Sequence, residues 1–144
     1  MALPPAAVLD TSVLLRLFHP HQDPEQAAAD AIAEELTVHR METVLLDLSV
    51  YELINVVIRR LHTSEDEAIQ VVDALYDLGL PVYAVDVSLA RRTASITAVT
   101  GLSGYDAAFV AAGEALALPL VTADRKLVRR AKGFDVRHLG DVLN

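Results

Sequence analysis

Residues 102–127 read LSGYDAAFVAAGEALALPLVTADRKL, and this stretch decides the fold. Asp106 opens an alanine-rich helix that runs to Ala117, Pro119 to Thr122 is a short apolar strand, and Asp124 starts a second helix that reaches Lys132. Helix, strand and helix with almost no loop between them point to a parallel sheet, because parallel strands need crossovers that lay helices on the faces. The pattern extends in both directions. Ala6 to Leu9 is an apolar run ending in Asp10, which feeds a helix over Thr11 to Phe18. Asp23-Pro24-Glu25 supplies an N-cap, a first-turn proline and an early acid for a helix to about His39. After the strand Thr43 to Leu46, Ser49 caps an amphipathic helix in which Val50, Leu53, Ile54, Val57, Ile58 and Leu61 recur at helical spacing, ending near His62. Ser64 and Glu67 form a capping box for a helix that closes at Gly79. Val82 to Val85, Ser88 to Thr100 and Phe134 to Leu139 read as strand, helix and final strand, with Gly101 stopping the helix. The expectation is one three-layer α/β/α domain over residues 1–144.

Composition narrows the chemistry. The chain is 53% hydrophobic, yet no apolar run approaches the roughly 18 residues that cross a bilayer. Met1 to Ala7 has no basic residue before its apolar stretch and no cleavage pattern after it, so no secretory signal or membrane association is expected and the cytoplasm is the default. With no cysteine, disulfides and thiolate metal sites are excluded, which leaves carboxylates and five histidines as ligands. His19, His21, His39, His62 and His138 show no ligand spacing and are expected in surface or loop positions. The net charge of −8 argues against general nucleic-acid affinity, but it is unevenly spread. Residues 1–72 carry 12 acidic and 4 basic side chains, whereas residues 73–144 carry 8 of each. Arg125, Lys126, Arg129, Arg130, Lys132 and Arg137 make a local basic patch, readable either as a nucleic-acid contact or as a solvated helix face.

Four carboxylates stand out by position. Asp10 and Asp124 follow predicted strands where helices begin, and Asp106 starts a helix. Ligands of open parallel sheets collect at that carboxyl edge. Glu52 lies off the apolar stripe of its helix, with Asn55 further along the same polar face. Taken singly, each Asp reads as an ordinary helix cap and Glu52 as an exposed helix residue. Taken together, three caps and one helix acid have no reason to be delivered to one rim. If they converge, two carboxylates about 5 Å apart repel by roughly 3 kcal/mol at an effective dielectric near 20, so a cation or protons must offset the charge. Oxygen ligands with room for water suit Mg²⁺ or Mn²⁺, whose chemistry is that of phosphodiester hydrolysis. Asp47, near the end of the second strand, is an extra acid expected to flank the Ser49 cap.

The segments VLDTSVLLRLF, LSVYELINVVIRRL and the stretch quoted first resemble PIN-domain proteins, in particular the small VapC-like toxins of prokaryotic toxin–antitoxin pairs. The most specific element is YDA opening an alanine-rich helix, followed by LPLVTADRKL. By that resemblance Asp10, Glu52, Asp106 and Asp124 take the family's four acidic positions, and Asn55 and Thr122 its supporting polar positions. It further implies a five-stranded parallel sheet, Mg²⁺-dependent endoribonuclease activity on RNA, a homodimer, and restraint by a VapB-like antitoxin. Arg125, Arg129 and Arg130, beside Asp124, are the expected phosphate contacts, and Leu14, Leu15, Leu17 and Phe18 are candidates for an antitoxin surface, a dimer interface or core. Two other α/β readings, one an enzyme and one a signalling domain, fit poorly. A haloacid-dehalogenase-like phosphatase carries a second Asp two residues after the first, where this chain has Ser12, and a receiver domain needs an acidic pair at the end of its first strand. A PIN-like module that binds RNA or protein without catalysis is the non-enzyme alternative.

Overall fold

The computed structural model describes residues 3–144; Met1 and Ala2, which open the stretch lacking a secretory pattern, lie outside the described residues. Strands β1 (Ala6–Leu9), β2 (Glu42–Leu46), β3 (Val82–Tyr83), β4 (Leu120–Thr122) and β5 (Val136–His138) form one sheet, ordered β3-β2-β1-β4-β5. Every strand pair is parallel. The helices are α1 (Thr11–Phe18), α2 (Gln26–Thr37), α3 (Asp47–Asn55), α4 (Glu65–Asp77), α5 (Val87–Thr100), α6 (Gly104–Leu116) and α7 (Arg125–Arg130). Among the described residues, none of them is long and apolar enough to cross a membrane.

Strand alternation sorts the core into two layers. Ala7 and Leu9 of β1, Leu45 of β2 and Val121 of β4 pack with Val13, Ile32, Leu53 and Leu75 from α1 to α4. Their neighbours Val8, Leu46 and Leu120 point the other way, onto Ile96, Phe109, Val110 and Leu127 from α5 to α7. The result is the expected α/β/α sandwich with a five-stranded parallel sheet. Chain direction around the sheet reverses between β1 and β4, which creates a crevice at their carboxyl ends.

Several boundaries differ from the sequence reading, each for a physical reason. Ser49 does not cap α3. Strand β2 runs straight into that helix, so Leu46 is the N-cap and Ser49 is a fully buried residue of the first turns, its hydroxyl without a hydrogen-bond partner. Asp47 instead sits in the first turn, where its carboxylate accepts from Leu48 N–H (2.8 Å) and from Val85 N–H (3.4 Å), tying α3 to the segment after β3. Ser103 rather than Asp106 caps α6, accepting from Asp106 N–H at 3.1 Å. Helix ends expected near His39, His62 and Ala117 are residues with positive φ (55°, 53° and 53°), left-handed turns that stop the helical ladder. Histidine tolerates that conformation better than most side chains. The Ser64–Glu67 capping box and the Gly101 stop, φ 68°, are present as read.

Candidate active site

The carboxyl ends of β1 and β4 are bound together by hydroxyls. Thr122 and Ser12 both donate to Asp10 Oδ2 at 2.7 Å. The same two hydroxyls accept backbone N–H groups from the far strand's exit, Ser12 from Ala123 and Thr122 from Asp124, each at 3.0 Å. Asp10 occupies the N-cap position of α1, yet its side chain makes no cap bond. Its Oδ2 therefore ties the crevice together instead of starting the helix.

Asp10, Glu52, Asp106 and Asp124 line one open cavity of about 520 Å³, with Thr11, Ser12 and Asn55. Glu52 reaches it from α3 and is held there by Thr11, whose hydroxyl donates to Glu52 Oε1 at 3.0 Å. Asp106 comes from the first turn of α6, where Ser103 has already taken the capping role and leaves the carboxylate unused by the helix. Asp124 does cap α7, accepting from Lys126 and Leu127 N–H through Oδ1, so Oδ2 remains available. Thr122 is fully buried and supports Asp10, while Asn55 is exposed on the cavity wall.

Burial pushes the Asp10 carboxyl up, the negative charge of Asp106 adds to that, and the bonds from Thr122, Ser12 and the Thr11 backbone oppose it. Glu52 is also raised, first by burial and then by Asp10 and Asp106, against the Thr11 hydrogen bond. Protons thus bind more tightly to these groups in the folded protein than in the unfolded chain. Their stabilising effect is complete below the ordinary carboxylate range, about pH 4, and is lost as pH rises through the raised values. Thermal melts in EDTA should show wild-type Tm declining over that interval, with Glu52→Gln declining less and ending on the order of a few degrees higher at neutral pH. Identical pH profiles for the two proteins would contradict this account of the cavity.

Among the described residues, no group of three or more His, Cys, Asp or Glu side chains is gathered tightly enough to hold a metal ion by itself. The donor set fits an ion that takes one or two direct carboxylates and keeps several waters, as Mg²⁺ does, and does not fit a closed protein cage.

The basic residues divide. Arg125 is paired with Glu25 at 3.3 Å, and Arg130 donates to the Gly101 carbonyl at 3.1 Å. Arg129 lines a second cavity with Lys126, Ser12 and Asp124. His138, expected at the surface, is buried instead. Its Nδ1 accepts from Gly140 N–H at 3.1 Å, which leaves Nε2 to donate to the Ala123 carbonyl at 3.2 Å and to steady the loop carrying Asp124. Sequence reading did not single out Ser12 or Thr11, because hydroxyls after a strand look like helix starters. It also passed over Arg59 and Arg60 on the cavity wall, although Arg59 follows Glu52 and Asn55 at helical spacing.

A carboxylate-lined crevice at the switch point of this sheet places the chain in a defined class, and the PIN domain match spans residues 7–133. The chain belongs to the PIN domain family. It is 30% identical over 128 residues to Ribonuclease VapC3 of Pyrobaculum aerophilum, an alignment covering 85% of this chain and 92% of that protein. Its fold matches a toxin–antitoxin complex from Klebsiella pneumoniae at TM-score 0.68 and 19% identity, covering 92% of this chain and 97% of that one. It also matches VapBC2 from Rickettsia felis, bound to a promoter DNA fragment, at TM-score 0.70 and 13% identity, over 92% of this chain and 98% of that one.

Proposed function

We propose that this protein is a divalent-metal-dependent endoribonuclease and the toxin of a toxin–antitoxin pair. The observation that carries this reading is the meeting of Asp10, Glu52, Asp106 and Asp124 in one open cavity at the carboxyl edge. The kinship with a ribonuclease agrees with it. Asp10 and Asp106 would hold Mg²⁺ or Mn²⁺ most directly. When bound, that ion supplies an acidified water and polarises a phosphoryl oxygen. The remaining work falls to the protein. Ser12 and Thr122 fix Asp10, Thr11 fixes Glu52, and Glu52 and Asp124 orient water and keep the attacked phosphate in line. The products are a 5′-phosphate and a 3′-hydroxyl.

Purified protein should cleave single-stranded RNA in Mg²⁺ or Mn²⁺, stop in EDTA, and recover on adding the ion back. Cleavage that persists in EDTA would refute the metal-dependent mechanism, and metal-loaded protein that binds RNA without cutting it would favour the non-catalytic module.

Restraint by an antitoxin fits the same cavity, since forked guanidinium donors match a ring of carboxylates and compete with the metal. The apolar contact for such a partner narrows on the structure. Leu14 is buried, and Leu15, Leu17 and Phe18 are half-buried against the core. Phe18 also lines a groove with Val57, Leu61 and Val71, where an amphipathic helix would lie.

A further inference from the structure

The distribution of unpaired cations points to how a substrate strand lies. Of the 12 Lys and Arg side chains, Arg16, Arg40, Arg92, Arg125 and Arg137 form ion pairs, and Arg130 binds a backbone carbonyl. Among the described residues, that leaves Arg59, Arg60, Arg91, Lys126, Arg129 and Lys132 without a carboxylate partner, in a chain where 20 acids outnumber the bases. Four of these six line the two cavities that meet at Ser12 and Asp124. Arg59 and Arg60 share a cavity with four carboxylates and pair with none of them.

Local structure accounts for the placement of the two arginines. They end a π-helical turn, Val56–Arg60, that continues α3, with Leu61 N–H bonding to the Val56 carbonyl at 3.0 Å. An i→i+5 turn takes up one residue more than an α-turn, so both arginines stay on the wall that Glu52 and Asn55 began. Helix α3 packs on β2 and α7 on β4 and β5, on either side of β1 in the sheet, and there Lys126 and Arg129 are one turn apart on α7 and exposed, while their neighbour Arg125 is occupied by Glu25.

We infer that the two pairs hold the phosphates on either side of the scissile one, so that a single RNA strand crosses the site from the π-turn of α3 to α7; this rests on the ribonuclease reading above. Cation, carboxylates, cation is the order a polyanion needs when its central phosphate is bridged to the protein through a divalent ion. An acidic protein segment would instead lay its own carboxylates over the four already there.

The test uses the full chain carrying Glu52→Gln, which suppresses cleavage while leaving Asp10 and Asp106 to hold the ion, and reads fluorescence anisotropy of a labelled single-stranded RNA in Mg²⁺ over a range of salt. Arg59→Ala/Arg60→Ala and Lys126→Ala/Arg129→Ala should each weaken binding and each flatten the log–log salt slope by about 1.4, at roughly 0.7 per phosphate on a single strand. The Arg59→Lys/Arg60→Lys protein, which keeps the charge, should keep the slope. Neutral methylphosphonates placed 5′ or 3′ of the mapped cut should then mimic one pair each, on opposite flanks. Unchanged slopes, or both pairs answering to the same flank, would overturn the inference. The ribonuclease reading is judged separately, by cleavage with the unsubstituted protein. Slopes that fall as expected without any cleavage would keep the cation track and discard the nuclease.

Discussion

Replacing Asp106 with Asn will reduce RNA cleavage by about 10²–10⁴-fold while leaving the fold intact. On the proposed mechanism, the size corresponds to losing several kcal/mol of metal-borne charge stabilisation, at 1.36 kcal/mol per decade. The sparing of the fold follows from local structure: Ser103 caps α6, so the Asp106 carboxylate is not needed to start the helix. Asn also relieves the repulsion that Asp106 exerts on Asp10 and Glu52. Without metal, the variant should therefore melt no lower than wild type. Adding Mn²⁺ should raise the wild-type Tm and leave the variant nearly unmoved, since a ligand stabilises only the state that binds it. A variant that cleaves within tenfold of wild type, or gains the same thermal shift, would remove Asp106 from the metal site.

The second large effect lies one turn further along the same helix. Phe109→Ala is expected to cost about 3–5 kcal/mol, because the ring is 1% exposed and lies at the centre of the layer formed by α5, α6 and α7. For a chain of this length that lowers Tm by roughly 10–15 °C. The two substitutions separate chemistry from scaffold. Asp106→Asn keeps the melting temperature and loses turnover, whereas Phe109→Ala loses stability and keeps turnover per folded molecule at low temperature. A Phe109→Ala protein that melts within 3 °C of wild type would mean that the layer repacks around the cavity.

The same helix shows why parts of the site were legible in the chain. In LSGYDAAFVAAGEALALPLVTADRKL the alternation of element types names a parallel α/β sheet, and two acids stand at its strand and helix junctions. Gly113 lies within the helix for a reason the sequence does not disclose: a Cβ there would meet the Leu118 carbonyl oxygen at 3.0 Å, where the chain turns back toward β4. Glu52 was legible only as an acid off the apolar stripe of its helix, on the same polar face as Asn55, and the resemblance to PIN-domain proteins gave that position a role.

By itself, the sequence determined the class of fold, the order of its elements and the four acids worth watching, because periodicity, caps and breakers act over a few residues. Tertiary structure decided where such residues sit and which groups they bond. Ser49 looked like a cap and is buried because β2 enters α3 without a loop, a junction set by strand pairing. His138 looked peripheral and is enclosed because β5 closes the sheet edge against the loop after β4. Asp10 looked like a cap and is a carboxylate held by Thr122, 112 positions away. Which arginines are free for an anion was also settled only in three dimensions, because an ion pair such as Arg125 with Glu25 joins residues 100 positions apart, and no local rule of spacing reaches that far.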